Sequence, residues 1–262
     1  MIKPYRLFVR SYGAPSRPLE VVTEDRVVLR GHRLGSGPDA LVVCHGFSGS
    51  HRRPRQVILQ EALADRFTVF AVDFRGHGRS EGRSSMGVLE HRDVEAVVRA
   101  ARADGFGRVV TLGASMGGIA VVRHAALLGG VEGVVAVSTP ARWSGHETDA
   151  VRKMVWLTNT RSGRGTLRVA GVRVVRSWEW AEAPIDLVER IAPTPLLIVH
   201  GRDDHFFDEE EAWALYRRAG RPKRLMLAGR FGHAEDGYGR AFAKQIAGAL
   251  GVDPGSTVAG GA

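Results

Sequence analysis

The chain has 262 residues, 44% of them hydrophobic, and a single cysteine, Cys44, so it can bury a substantial core but form no internal disulfide. Its formal net charge is +9, and only four of its 37 basic residues are lysines. The arginines are scattered and no nucleic-acid-binding motif accompanies them, which argues against a nucleic-acid partner. No run approaches the ~18 apolar residues of a membrane helix. The N-terminus carries no apolar leader, and together with the lone cysteine this leads us to expect a cytoplasmic protein.

Short β-branched runs alternate with longer amphipathic ones. Two paired strands are predicted at 20–23 and 26–34, around Glu24-Asp25. Residues 40–44 form a continuous apolar run, as expected of a strand buried on both faces of a parallel sheet. The same signature recurs at 67–72, 108–112, 132–138, 195–200 and 224–228. Helices are predicted at 55–65, 88–103, 116–128, 208–219 and 236–250. This alternation implies βαβ units: an α/β fold with a mostly parallel sheet of about eight strands, helices on both faces and an antiparallel edge.

Segment 139–190 breaks the rhythm. It holds four of the five tryptophans, Trp143, Trp156, Trp178 and Trp180. It also holds arginines at 161, 164, 168, 173 and 176 with no acidic residue among them. These alternate with small and β-branched residues, which predicts a solvated hairpin or loop. The expected organisation is one catalytic domain over 1–250, a lid insertion over 139–190 and a frayed Gly-rich tail over 251–262.

The run Gly113-Ala114-Ser115-Met116-Gly117 stands between a strand and a helix. G-x-S-x-G in that context is a nucleophile elbow, a turn so tight that only small residues fit two positions either side of the serine. Ser115 is thus the candidate nucleophile. Such a site needs two backbone oxyanion donors. One is the N–H after the nucleophile, here Met116, and the other comes from the loop after an earlier strand, where Phe47 stands in His45-Gly46-Phe47. An acid and then a histidine must follow in chain order. Asp203 and Asp204 follow the strand that ends in His200-Gly201, and both stay open as the acid. His233, on the loop after the last strand, is the candidate base. His45, His77, His200 and His205 read as turn residues.

In order, these motifs resemble the α/β-hydrolase superfamily, in particular its short-lid branch of carboxylesterases, monoacylglycerol lipases and serine aminopeptidases. The run Asp73-Phe74-Arg75-Gly76-His77-Gly78-Arg79-Ser80 resembles the family's structural turn, so Asp73 reads as a turn residue. The resemblance places the acid three residues after the strand-ending glycine, at Asp204, with Asp203 second. A serine at 115 separates the chain from haloalkane dehalogenases and epoxide hydrolases, which resemble this fold but use a carboxylate there.

The expected chemistry is acyl transfer on a small-molecule acyl substrate, with no metal and no organic cofactor. Esters of small to medium apolar acids are the first reading. Thioester or amide cleavage is the second, since five unopposed arginines could meet the phosphates of an acyl-CoA or an acidic carrier. A ligand receptor that keeps the fold without turnover is the third. Trp143, Trp156, Trp178 and Trp180 are the expected acyl-binding residues.

Overall fold

A computed structural model describes residues 9–145, 148–177 and 181–251. The tail expected over 251–262 therefore lies outside the described residues beyond Gly251, and so do Trp178 and Trp180.

Eight strands form one sheet: β1 (Ser16–Val22), β2 (Val28–Leu34), β3 (Asp39–Cys44), β4 (Phe67–Val72), β5 (Val109–Ala114), β6 (Gly133–Val137), β7 (Leu196–Gly201) and β8 (Lys223–Ala228). Their spatial order is β1-β2-β4-β3-β5-β6-β7-β8. β1 pairs antiparallel with β2, and β2 antiparallel with β4; every later pairing is parallel. This is the predicted sheet with its antiparallel edge. The first strand begins four residues before its predicted start.

Helices cover both faces. α1 (Pro54–Leu63) and α8 (Arg240–Ala249) lie on one face, and α2 (Glu90–Ala103), α3 (Met116–Leu127) and α7 (Glu209–Arg218) on the other. The period of two decides which residue faces which layer. Val42, Phe70, Ala136 and Ile198 pack toward α2 and α3, while Leu41, Val69, Val135 and Val199 pack toward α1 and α8. All are buried. Trimming one of the larger, such as Leu41→Ala, costs about 2–5 kcal/mol.

Between β6 and β7 come α4 (Asp149–Asn159), α5 (Arg161–Val169) and the short α6 (Pro184–Leu187). The arginine-rich stretch expected as a hairpin or loop is thus largely a helix. Thr160 caps it, its hydroxyl accepting from the Gly163 N–H at 3.0 Å. Leu167 and Gly163 are its buried positions, so core contact overrides the alternating pattern. Residues beyond α5 are pinned to the Asp73–Ser80 region and its sequel. Arg173 N–H donates to Gly76 O at 2.7 Å, and Ser84 N–H to Arg173 O at 2.8 Å. At the base of the insertion, Glu211 of α7 accepts from the N–H groups of Ala141 and Arg142 at 2.6 and 3.1 Å. No helix among the described residues is long and apolar enough to cross a membrane.

Candidate active site

Ser115 stands between β5 and α3 with φ 52° and ψ −113°, a left-handed φ that a side-chain-bearing residue rarely adopts. Its N–H is held by Val137 O at 2.8 Å. The flanking glycines are a steric requirement. A Cβ on Gly113 would lie 2.1 Å from Gly117 O, and one on Gly117 would lie 2.6 Å from both Cys44 O and His45 O. The close approach of Gly117 brings the elbow against the end of β3, where the loop carrying Phe47 begins.

Buried histidines brace that loop. His45 Nδ1–H donates to Gly46 O at 2.7 Å, and His45 Nε2 accepts from the Phe74 N–H at 3.0 Å. His77 Nε2 accepts from the Ser48 N–H at 3.3 Å while its Nδ1–H donates to Arg75 O at 3.1 Å. Burial, then the neighbouring His45, pushes the His77 imidazole down to about 3. Burial likewise lowers His45. Both rings therefore serve as neutral struts. Asp73 matches its reading as a turn residue: it is fully buried and accepts from Ser50 Oγ and His51 Nδ1, both at 2.7 Å. Burial alone would raise its carboxyl, but the His51 contacts outweigh that and hold it well below the usual range.

Among the described residues, neither the Phe47 N–H nor the Met116 N–H has a hydrogen-bond acceptor. Met116 is the first residue of α3, where a helix leaves its N–H groups unsatisfied. The two donors thus flank Ser115 with free hydrogen-bonding capacity and the positive end of a helix dipole.

The acid and the histidine meet after β7 and β8. His233 Nδ1 lies 2.9 and 2.8 Å from the two oxygens of Asp204. A carboxylate only accepts, so Nδ1 carries the proton and Nε2 of the neutral ring is left as a bare acceptor. Asp204 also accepts from the Phe206 and Phe207 N–H groups at 2.8 and 3.1 Å. Burial would raise its carboxyl, but the bond from His233, its charge and the two backbone donors lower it overall. Asp203, the second candidate, is exposed on the same turn. His200, expected in a turn, is instead a buried strand residue of β7, with Nε2 3.1 Å from Phe207 O.

The His233 loop is held at both ends. Phe206 packs on the imidazole with ring centroids 4.3 Å apart. Ser138, at the end of β6, accepts from the Ala234 N–H at 3.0 Å. Glu235 ties this loop to the Phe47 loop, because its carboxylate accepts from Gln56 Nε2 at 2.9 Å and from the Gly46 backbone. Desolvation pushes that carboxyl up, against those bonds. Ser138 and Glu235 were invisible in the motif pattern, since neither belongs to a spacing that chemistry demands.

Ser115 and His233 face one cavity of about 640 Å³, with Arg53, Lys153 and Glu235 on its walls. No hydrogen bond joins the two side chains, a looseness common in unliganded sites that tightens when substrate fills the gap. A second cavity of about 500 Å³ also reaches Ser115 and is walled by Ile119, Trp143, Val151 and Val155. The two share Phe47, Ser115 and Met154. Trp143 is half-buried, its Nε1–H donating to Ala181 O at 2.7 Å. Trp156 corrects the expectation: it is 47% exposed and lines neither cavity. On α4 it lies four residues from exposed Arg152, on the outward stripe. Among the described residues no group of three or more His, Cys, Asp or Glu could hold a metal ion.

Several known proteins share this architecture. The esterase Pf2001 of Pyrococcus furiosus superposes with a TM-score of 0.73 at 20% identity, over 92% of this chain and 97% of that one. The α/β hydrolase GrgF of Penicillium sp. sh18 gives 0.72 at 18% identity, over 90% and 98%. The esterase RhEst1 of Rhodococcus sp. ECU1013 gives 0.69 at 20% identity, over 89% and 98%. In sequence, the uncharacterized protein YfhR of Escherichia coli strain K12 is 29% identical over 185 residues. That match takes in 69% of this chain, and the chain spans 59% of the length of that relative. The pattern of the alpha/beta hydrolase family matches residues 41–254, the whole stretch that carries the elbow, Asp204 and His233. The chain belongs to the alpha/beta hydrolase family.

Proposed function

We propose that this chain is a serine esterase that transfers an apolar acyl group to Ser115 and then to water. The observation that carries this is the pairing of Asp204 with His233, which lines one cavity with the strained Ser115 and with Phe47.

His233 Nε2 takes the Ser115 proton as Oγ attacks the substrate carbonyl. The N–H groups of Phe47 and Met116 receive the oxyanion, each worth roughly 3–4 kcal/mol to the transition state. Asp204 fixes the tautomer and stabilises the imidazolium. The imidazolium then hands its proton to the departing alcohol, which must therefore lie on the His233 side of Ser115. That assigns the cavity with Arg53, Lys153 and Glu235 to the leaving group. The acyl chain takes the other cavity, whose walls are mainly apolar. Water then resolves the acyl-enzyme by the same steps with the alcohol replaced.

In this reading segment 139–190 is a lid. α4 walls both cavities, through Val151 and Val155 on one side and Lys153 and Leu157 on the other. Its N-terminus is tied to the acid loop, since Thr148 Oγ donates to Phe206 O at 3.2 Å. Trp143 serves as an acyl-binding residue. The test is labelling with a fluorophosphonate followed by a panel of p-nitrophenyl esters. Labelling that maps to Ser115, with ester turnover, supports the assignment. Absence of both overturns it.

A further inference from the structure

Six arginines gather away from the catalytic pair. Arg83, Arg161, Arg164, Arg168, Arg173 and Arg176 line a cavity of about 500 Å³, and no carboxylate among the described residues lines it with them. The helix explains how half of them converge. Positions 161, 164 and 168 of α5 fall at i, i+3 and i+7 on one stripe. Beside that stripe Leu167 packs with Val172 and Val174 against Phe47, and the two valines also line the arginine cavity. The other three arginines come from the segment after α5 and from the loop it pairs with.

Main-chain carbonyls fix part of the cluster. Arg83 donates to Val174 O at 3.3 Å, Arg164 to Thr158 O at 3.1 Å and Arg173 to Gly82 O at 3.3 Å. Among the described residues, Arg161, Arg168 and Arg176 form no side-chain hydrogen bond or ion pair. Desolvation, then Arg83 and Arg168, lowers Arg173, with Glu81 opposing. Glu81 is exposed and lies 3.8 Å from Arg30. Like charges held together without counter-charge repel, and a bound polyanion relieves that cost. Guanidinium forks match phosphate oxygens in geometry as well as charge.

The cavity also lies close to the reaction site. A cleft of about 10 Å³ past Gly171 is lined by Val172, which the arginine cavity shares, and by Ser48, Gly49 and Arg53, which the cavity of His233 shares. We propose that the six-arginine cavity binds a di- or triphosphate group carried on the leaving-group half of the substrate. A concave site beside the reaction cavity suits a small phosphorylated ligand better than a nucleic-acid backbone or a flat membrane. The placement on the substrate rests on the esterase reading and widens it to thioesters of phosphate-bearing thiols.

Inorganic pyrophosphate is titrated by calorimetry into the full chain carrying Ser115→Ala, with and without Arg161→Glu and Arg168→Glu. Both arginines are exposed, and thermal melts report the fold. The expected result is a loss of affinity of about tenfold or more. Recovery in the Arg161→Lys, Arg168→Lys pair would show that positive charge suffices. In the Ser115 background, octanoyl thioesters of coenzyme A and of N-acetylcysteamine are compared. The ratio of their kcat/KM values should fall about tenfold in the Glu variant. Equal pyrophosphate affinity in both proteins, or none, overturns the proposal. So does binding only to phosphatidylglycerol vesicles or only to DNA. Pyrophosphate binding that the Glu variant loses, without any ester or thioester turnover, retains the anion site and rejects the esterase reading. Turnover without pyrophosphate binding does the reverse.

Discussion

The two cavities that meet at Ser115 are walled by the same helix and differ in character. Val151, Val155 and Thr158 of α4 face the apolar one, at i, i+4 and i+7. Ala150, Lys153 and Leu157 face the charged one, at i, i+3 and i+7. Met154 stands between and touches both. One helix thus borders two cavities because its 3.6-residue period carries neighbouring residues to different sides. The lesson is that, in the proposed esterase reading, acyl and leaving-group preferences should change separately, although the residues assigned to them are adjacent in sequence.

The largest expected effect removes the junction itself. Ser115→Ala should lower kcat on any ester by a factor on the order of 10⁶ while thermal melts stay unchanged. Activity above a few per cent of the parent would break the assignment of both cavities at once. The next change acts from the His233 side. Asp204→Asn should cost roughly 10⁴ in kcat, because the His233 tautomer is then wrongly held. Asp203→Asn, at an exposed carboxylate, should cost far less. The reverse ranking in steady-state kinetics would move the acid by one residue.

A third test concerns His77, which braces the loop of Phe47, a residue common to both cavities. The His77 imidazole is pushed from its ordinary 6.5 down to about 3 in the fold, so the unfolded chain takes up the proton first. Its stabilising contribution is complete above about pH 6.5 and is lost as pH falls toward 3. Urea midpoints should therefore decline with acidification across that window, and His77→Gln should flatten the decline. A midpoint independent of pH there would show that burial of the histidines does not govern the loop.

The smallest expected effect separates the two cavities most directly. Val151→Phe should lower kcat/KM for long acyl chains by roughly tenfold and leave acetyl esters nearly untouched. Trp156→Ala should change neither, since that side chain faces outward. A chain-length series on the three proteins decides it. A shift produced by Trp156→Ala instead would mean that segment 139–190 packs differently when substrate is bound.

Much of the fold was legible in the residues. The strands are continuous apolar runs because both sheet faces are covered, and that burial leaves a signature one can read without a structure. The elbow was legible for a steric reason, since Gly113 and Gly117 stand where a Cβ would strike backbone. His233 followed from its place after the last strand. The choice between Asp203 and Asp204 was another matter. The residues left both open, and only the turn after β7 shows which carboxylate meets Nδ1.

Segment 139–190 shows where local pattern stops deciding. Alternating arginines and small residues suggested a hairpin, yet tertiary contacts through Leu167 and the Thr160 cap make α5 a helix. Aromatic content suggested four pocket tryptophans, yet helical phase turns Trp156 to solvent while placing Lys153 in a cavity. Burial of a whole strand is written in consecutive residues, so the sequence by itself determined the sheet and its elbow. The pairing of Asp204 with His233, the Glu235 tie and the six-arginine cavity join residues distant in the chain. Only the tertiary structure decided them, because they depend on which loops the sheet brings to the same edge.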